Sequence, residues 1–137
     1  MSVEVLERMF AAFRRGGIDA GLEFIDPQFE AVVGPETSAE PDVYRGHDGV
    51  RRYFASFEGI DDVVFEPQEF IPDRDRVLVP MVLSGRGASS GIEVELHVVQ
   101  AWRFRGGKAL RVEVFPDLER ARAAGAPEAA GAGEAAP

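Results

Sequence analysis

The sequence contains no cysteine and no asparagine, and Lys108 is its single lysine. Without cysteine, the chain can form no disulfide, thiolate nucleophile or zinc–thiolate site. Without asparagine, it has no acceptor for N-glycosylation. Binding to a nucleic-acid backbone requires clustered basic residues, whereas this chain has a formal net charge of −9. We therefore expect no nucleic-acid partner.

Long apolar runs are also lacking, and no segment approaches the roughly 20 apolar residues of a membrane-spanning helix. The first seven residues are acidic, whereas a signal peptide begins with basic residues. We therefore predict a cytoplasmic protein that has no membrane partner. His47 and His97 lack a second ligand at the spacing of a metal site, so we expect neither a metal nor a cofactor.

The residues that are present describe one ordinary globular domain of 137 residues, with 45% hydrophobic residues and 10 phenylalanines. From Ala123 onward, however, the chain consists only of Ala, Gly, Pro and Glu. No large apolar side chain offsets the entropy cost of ordering this segment. We therefore predict a folded domain over residues 1–122 and a disordered tail over residues 123–137.

Hydrophobic periodicity predicts two helices at the start of the chain. Apolar residues recur at three- and four-residue steps from Val3 to Phe13, and Gly16-Gly17 should end this first helix. The second helix is predicted between Asp19 and Ile25, and it ends before Pro27.

Two further helices are predicted later in the chain. One begins just after residues 46–49 and carries the apolar stripe Val50, Tyr53, Phe54 and Phe57. The other is short, is capped by Asp117 and runs to Arg122.

Most of the remaining chain consists of strand-like runs separated by turn residues. These runs are Phe29–Val33, Val63–Ile71, Arg76–Arg86, Ile92–Arg105 and Lys108–Phe115. Because the last four are joined by short connections, they should pair as antiparallel neighbours. Pro80 cannot donate a hydrogen bond to a neighbouring strand, so its strand should lie at an edge or be bulged there. The predicted fold class is α+β.

Four stretches of the chain have a recognisable order and spacing. They are residues 10–19 (FAAFRRGGID), 24–27 (FIDP), 44–54 (YRGHDGVRRYF) and 102–108 (WRFRGGK). Together they resemble the SnoaL-like branch of the nuclear-transport-factor-2-like (NTF2-like) superfamily. The resemblance implies a curved, mostly antiparallel sheet that wraps around the N-terminal helices and forms a cone-shaped pocket.

The same resemblance implies a homodimer formed through the outer face of the sheet. Val99, Ala101 and Phe115 would form a small apolar strip on that face. The superfamily contains cyclases, isomerases, dehydratases, epoxide hydrolases and non-catalytic binding proteins. Membership therefore does not decide between catalysis and binding.

Ketosteroid isomerases of this superfamily use a tyrosine and a protonated aspartate as oxyanion donors, and a second aspartate as base. In the alignment that we draw, these three positions fall on Met9, Gln100 and Val32, respectively. Only the glutamine can donate a hydrogen bond. The resemblance therefore does not extend to steroid isomerisation by that mechanism.

The facing of the last two strands depends on the turn at Gly106-Gly107. A two-residue loop would pair Gln100 with Glu113, whereas a three-residue loop would pair it with Val112. We expect the three-residue loop, because it places apolar side chains of the last strand on the core face. Those side chains are Leu110, Val112 and Val114.

Glu30 is the candidate catalytic acid. If Val32 faces the pocket, the two-residue period of a strand turns Glu30 inward as well. A carboxyl group buried in an apolar pocket has a raised pKa, as a general acid requires. The alternative is a glutamate at the end of the strand, paired with an arginine at the rim.

The residues expected to line the pocket are Met9, Phe13, Val32, Phe54, Gln100, Trp102, Val112 and Val114. Gln100 either bonds the backbone or orients a ligand carbonyl or hydroxyl. We predict a protein that binds an unassigned small molecule in a mostly apolar cavity. The alternative is a cofactor-independent cyclase, isomerase or lyase that acts on a small apolar or polyketide-like substrate by acid/base chemistry. Whether the protein is an enzyme stays open.

Overall fold

The computed structural model describes residues 2–38 and 40–125, and within them the fold is α+β, as predicted. In chain order its elements are α1 (Ser2–Leu22), β1 (Ile25–Val33), β2 (Asp42–Arg45), α2 (Gly46–Ala55), β3 (Ile60–Pro67), β4 (Ile71–Asp73), β5 (Arg76–Gly87), β6 (Glu93–Arg105), β7 (Lys108–Phe115) and α3 (Leu118–Ala124). None of these helices has the length and apolar content needed to cross a membrane.

The strands form one sheet of seven, in the order β2-β1-β7-β6-β5-β3, with β4 also paired to β5. Neighbouring strands are antiparallel except β1 and β7, which are parallel. The predicted antiparallel pairing of the later strands is therefore confirmed. The predicted run from Val63 to Ile71 is divided into β3 and β4 by residues 68–70.

Helix α1 is kinked at Gly17, whose backbone has φ 77° and ψ −163°. A positive φ favours glycine, so the helix breaks close to the predicted position. The second part ends at Leu22, and Ile25, which we predicted to be helical, begins β1 instead. Ile25 is 2% exposed and pairs with Ala109 of β7. Pairing in the sheet therefore overrides the local helical pattern.

Strand β2 lies between the first predicted strand and the predicted helix α2, in a segment for which we predicted no strand. Its four residues pair antiparallel with the end of β1, from Glu30 opposite Arg45 to Val33 opposite Asp42. A strand this short carries little periodic signal of its own, and its pairing with β1 defines it. β1 likewise begins four residues earlier than Phe29, where the prediction placed it.

Pro80 lies inside the sheet, and β5 pairs with β6 through its position without a bulge. The Pro80 carbonyl accepts a hydrogen bond of 2.8 Å from the Gln68 N–H, on the side of β3 and β4. In an antiparallel strand the nitrogen and oxygen of one residue point to the same neighbour. The missing N–H therefore faces the gap between β3 and β4. The prediction that this strand lies at an edge or is bulged at Pro80 was wrong. The sheet tolerates the proline because, in the described chain, no strand lies opposite its nitrogen to accept a hydrogen bond.

The β6–β7 turn differs from the predicted three-residue loop. Gly106 and Gly107 both have positive φ, and they form a two-residue loop between the paired residues Arg105 and Lys108. This geometry is typical of a type I′ hairpin.

A bulge next to this turn then shifts the register by one residue. The shift leaves Leu110 outside the paired register, and Gln100 pairs with Val114 instead of Val112. Because the two possible partners are two positions apart in the strand, Val112 and Val114 still face the core. The predicted facing is confirmed for Val112 and Val114. It was wrong for Leu110, which the bulge removes from the core face, where Ala109 is buried instead. The turn that we expected was also wrong.

Helix α3 covers part of the outer face of the sheet. Its N-cap is Asp117, as predicted, and the carboxylate of Asp117 accepts a hydrogen bond of 2.8 Å from the Arg120 N–H. Together with β4 and β7 residues, the helix buries a second apolar cluster, formed by Leu78, Val99, Ala101 and Ala121.

Two predictions disagree with the position and length of α3. Val99 and Ala101, expected on an exposed strip for dimerisation, are only 5% and 3% exposed, because the chain's own α3 lies over them. The prediction of an exposed strip was therefore wrong. α3 also continues to Ala124, two residues past Arg122, where the helix and the folded domain were predicted to end. Residues 126–137 of that tail lie outside the described residues, and their disorder stays a prediction.

Candidate ligand-binding site

A cavity of about 1090 Å³ lies between the sheet and the helices α1 and α2. This volume is large enough to hold a small organic molecule. Aromatic rings from both layers form much of its wall: Phe10, Phe13, Phe29, Tyr53, Phe54, Phe57, Phe65 and Trp102. The aromatic side chains that pack in the core therefore also surround an open space.

The rings support one another around this space. Trp102 has Phe29 stacked on one side, with ring centroids 6.1 Å apart, and meets Phe10 edge-on at 6.0 Å. On the helical side, Phe13 and Phe54 are 5.4 Å apart. A Cβ atom at Gly21 would overlap the Phe13 ring, so glycine at this position lets Phe13 fold against α1.

Gln100 is the most deeply buried polar side chain of the cavity wall, with 7% of its surface exposed. Its side-chain carbonyl accepts a hydrogen bond of 3.0 Å from Trp102 Nε1–H. An indole N–H can only donate, so the oxygen of the amide must face Trp102. The NH₂ group of Gln100 then has no acceptor among residues 2–38 and 40–125. Leaving a buried donor unpaired costs about 1–3 kcal/mol, which a ligand acceptor can recover.

Tyr53 supplies a second polar group to the cavity wall. Its ring lies among the rings of Tyr44, Phe54, Phe57 and Phe65. Burial raises the pKa of the Tyr53 hydroxyl to about 12, so this group keeps its proton at neutral pH. Within the described part of the chain, it makes no hydrogen bond. Sequence reasoning left the direction of this hydroxyl open, because the tyrosine occupies an otherwise apolar helical stripe.

Two charged side chains, Arg14 and Glu58, also line the cavity, and both are exposed. Neither forms an ion pair with another residue that the structure describes. Because their charges are opposite, the rim as a whole favours neither anions nor cations. Sequence analysis missed both residues, since exposed charges on helices give no signal that distinguishes a rim from any other surface.

Glu30 and Val32 do not line the cavity. The residues of β1 that do so are Ile25, Phe29, Ala31 and Val33, which turns Glu30 and Val32 to the outer face. The inward placement of both residues was wrong, because our alignment of β1 was one residue out of phase and such a shift inverts a strand.

On the outer face, Glu30 is paired with two arginines. Its carboxylate accepts a hydrogen bond of 2.8 Å from Arg111 and lies 3.4 Å from Arg45. Both arginines also stand opposite Glu30 in the strand register, one on each neighbouring strand. This is the arginine-paired alternative that the sequence left open.

The other predicted residues do line the cavity: Met9, Phe13, Phe54, Gln100, Trp102, Val112 and Val114. Their contact with a ligand stays a prediction. Of the two histidines, His47 lies in the first turn of α2 and donates from Nε2 to the Ile25 carbonyl at 2.8 Å. His97 lies on the outer face, 2.6 Å from the Glu95 carboxylate. Over the described ranges, no three His, Asp or Glu side chains are grouped so that they could hold a metal ion.

The helices, the mostly antiparallel seven-stranded sheet and the cavity between them together define an NTF2-like α+β fold. The sequence matches the SnoaL-like domain family over residues 6–112, and the chain belongs to this family. The predicted resemblance is confirmed. No curated protein matches the sequence.

Solved structures with the same fold include proteins crystallised with small molecules. TerC, co-crystallised with polyporic acid, is 27% identical, with a TM-score of 0.73 over 85% of this chain and 91% of TerC. An NTF2-like protein of unknown function from Burkholderia pseudomallei K96243 is 22% identical, with a TM-score of 0.72 over 88% and 93% of the two chains.

A third structure is a candidate SnoaL-like polyketide cyclase from Jannaschia sp. CCS1. It is 21% identical to this chain, with a TM-score of 0.68 over 88% of each chain. At this identity, the likeness shows a shared fold and leaves the activity open.

Proposed function

We propose that this protein binds a small, mostly apolar molecule in its cavity, and that the Gln100 amide donates a hydrogen bond to an acceptor atom of that molecule. The observation that carries the proposal is the buried NH₂ group of Gln100, which has no protein acceptor in the described chain and lines an aromatic cavity. The ligand itself is unassigned.

The wall of the cavity supports a ligand that contains rings. Aromatic side chains pack against other rings in stacked and edge-on arrangements, and both arrangements already occur around Trp102. The similarity to TerC, which was crystallised with polyporic acid, agrees with such a ligand.

The orientation of the Gln100 amide supports a preference for ligands that carry a hydrogen-bond acceptor. Trp102 occupies the carbonyl of Gln100, so the amide presents its two N–H donors elsewhere. A ligand with a carbonyl or hydroxyl oxygen at this point would satisfy one of them. A ligand of the same shape without an acceptor would leave the donor unpaired, and this costs binding free energy.

Acid/base catalysis by a cyclase, isomerase or lyase is the second candidate function, and it has less support. Gln100 could stabilise an oxyanion in such a reaction. The proposed acid, Glu30, lies on the outer face between two arginines. The pKa of the Tyr53 hydroxyl is raised to about 12, so at neutral pH this group is a hydrogen-bond donor and not a base. Binding is therefore the better-supported function.

A pair of nearly isosteric probes tests the proposal by isothermal titration calorimetry. 2-Acetylnaphthalene carries a carbonyl acceptor, whereas 2-isopropenylnaphthalene has a CH₂ group in its place. We expect the wild-type protein to bind the acetyl compound about 10-fold more tightly, equivalent to about 1.4 kcal/mol. Gln100→Met, which keeps the side-chain length and removes both donors, should abolish this preference.

Gln68→Met is the matched control, because it makes the same chemical change at an exposed position away from the cavity wall. It should keep the preference of the wild-type protein. Equal affinity of the wild-type protein for both probes would contradict the role of Gln100. Failure to bind either probe would contradict the proposal of an apolar binding cavity.

A further inference from the structure

Half of β6 has an unpaired edge. β7 pairs with β6 only from Val99 to Arg105, because the chain leaves the sheet after Phe115 and forms α3. β5 pairs with β6 on the other side along Glu93–Trp102. Among the described residues, no strand pairs with Glu93–Val98 on the β7 side. The backbone N–H and C=O groups on this side are available to another strand.

The same edge carries apolar side chains in contact with solvent. Ile92, Val94 and Leu96 are 65%, 44% and 41% exposed, and they stand among only four large hydrophobic residues with such exposure in the described chain. Proteins usually protect exposed edges with proline, lysine or a bulge. Residues 93–98 contain no proline or lysine, and their register with β5 is regular. This edge therefore has the features of a strand that pairs with another chain.

We propose that two copies of this chain associate through antiparallel pairing of their β6 edges, with Leu96 on the two-fold axis. In this arrangement Leu96 faces Leu96 of the partner subunit, and Val94 faces Val98 of the partner subunit. The pairs on the cavity face are therefore apolar. On the outer face, Glu95 lies opposite His97 of the partner subunit, so an acidic side chain meets a basic one. The two sheets would then form one continuous sheet.

Other registers about a two-fold axis are less favourable. A centre at Glu95 would place that glutamate opposite its own copy, and a centre at Val94 would place Glu93 opposite Glu95 of the partner subunit. Like charges directly opposite each other are destabilising. A centre at His97 would leave only Leu96–Val98 to pair, because Val99 already pairs with Phe115. The centre at Leu96 pairs the longer stretch Val94–Val98 before it reaches Val99, and it places no like charges opposite each other.

The C-terminal segment of the same chain is a poorer occupant of this edge. Residues 126–137 contain only Ala, Gly, Pro and Glu, and so have no large side chain to cover the exposed apolar surface. Their glutamates would also approach Glu93 and Glu95. A second copy, by contrast, supplies both an apolar surface and His97 opposite each Glu95. The pairing does not depend on the proposed ligand, because Val94 and Leu96 do not line the cavity.

The absence of native cysteine allows a direct test by cross-linking. In Leu96→Cys the two introduced thiols would lie on directly opposite residues, whose Cα atoms are about 4.5–5.5 Å apart and therefore within disulfide range. Ile92→Cys is the matched control, since it is more exposed but would lie about 27 Å from its own copy in this register. Under mild oxidation, we expect the disulfide-linked dimer to form at least about 10-fold faster with Leu96→Cys than with Ile92→Cys.

A second measurement uses protein without an introduced cysteine. Sedimentation velocity of the wild-type protein should show a dimer, and Leu96→Glu should be a monomer with an unchanged circular dichroism spectrum. A wild-type protein that stays monomeric at its highest soluble concentration would overturn the proposal. So would equal cross-linking rates for the two cysteine variants, or a dimer that survives Leu96→Glu, because both would place the contact elsewhere.

Discussion

Side chains point alternately to the two faces of the sheet along the whole of β6, but the two halves of this strand differ in their exposure to solvent. All residues from Val98 to Trp102 are buried, whereas all residues from Glu93 to His97 are exposed. The buried half is covered by Phe10 of α1 on the cavity face and by Ala121 of α3 on the outer face. Alternation within a strand therefore indicates which side chains share a face, but other elements decide whether that face is covered.

The difference is clearest between Trp102 of β6 and Ile92, the residue directly before β6. Trp102 is 6% exposed, whereas Ile92 is 65% exposed. Both are large and apolar, and they are ten positions apart in the sequence, so strand alternation would turn them to the same face. Of the two, Trp102 alone has α1 and β7 beside it.

The largest effect that we expect distinguishes these two residues. Trp102→Ala should lower the free energy of unfolding by about 3 kcal/mol, at the low end for such a truncation because the ring already borders an open cavity. Ile92→Ala should change it by less than about 0.5 kcal/mol. Urea unfolding followed by circular dichroism measures both, since Trp102 is the single tryptophan and its fluorescence is lost in the variant. Similar losses in the two variants would contradict the comparison.

Arg76, the first residue of β5, holds α3, the helix that covers the buried half of β6. Its side chain is 3% exposed, and its guanidinium donates hydrogen bonds to the Ala121 carbonyl at 2.9 Å and to the Asp73 carboxylate at 2.7 Å. Arg76→Met keeps an aliphatic stem and removes these donors. We expect a loss of about 2–3 kcal/mol, together with faster amide hydrogen exchange in β6 at Val99 and Ala101.

Arg74→Met is the matched control for this change. Arg74 also donates to a backbone carbonyl, that of Gly125 at 2.9 Å, but it is exposed. The control should lose less than about 1 kcal/mol and leave exchange in β6 unchanged. If Arg76→Met behaved like the control, α3 would be held by its apolar contacts alone.

Local signals in the sequence were sufficient for much of the fold. β7 has the predicted bounds, and Asp117 caps α3. α2 contains Val50, Tyr53 and Phe54 of the predicted stripe, whereas Phe57 lies just past its end. These elements depend on periodicity and capping within a few residues. β2 and the start of β1 were missed, because each is defined by pairing with a strand distant in the sequence.

The candidate site shows the same limit. The apolar lining from α1, α2, β6 and β7 could be predicted, whereas an error of one residue reversed the facing of β1. The orientation of the Gln100 amide did have a signal in the sequence: Trp102 is two residues away, so the two side chains are neighbours on one face. An indole that must donate and an amide beside it already indicate which end of the amide is free.

The smallest effect should be at Glu30, which tests the facing of β1. Glu30→Gln keeps the size of the side chain and removes the charge that interacts with Arg45 and Arg111. Because all three side chains are partly exposed, we expect the free energy of unfolding to change by less than about 1 kcal/mol. The affinity for 2-acetylnaphthalene should not change, since the carboxylate lies on the face of the sheet opposite the cavity. A fall in affinity of about 10-fold, equal to about 1.4 kcal/mol, would instead indicate that Glu30 faces the ligand. That result would contradict the observed facing of β1 and restore a carboxylic acid to the cavity, where acid/base catalysis requires one.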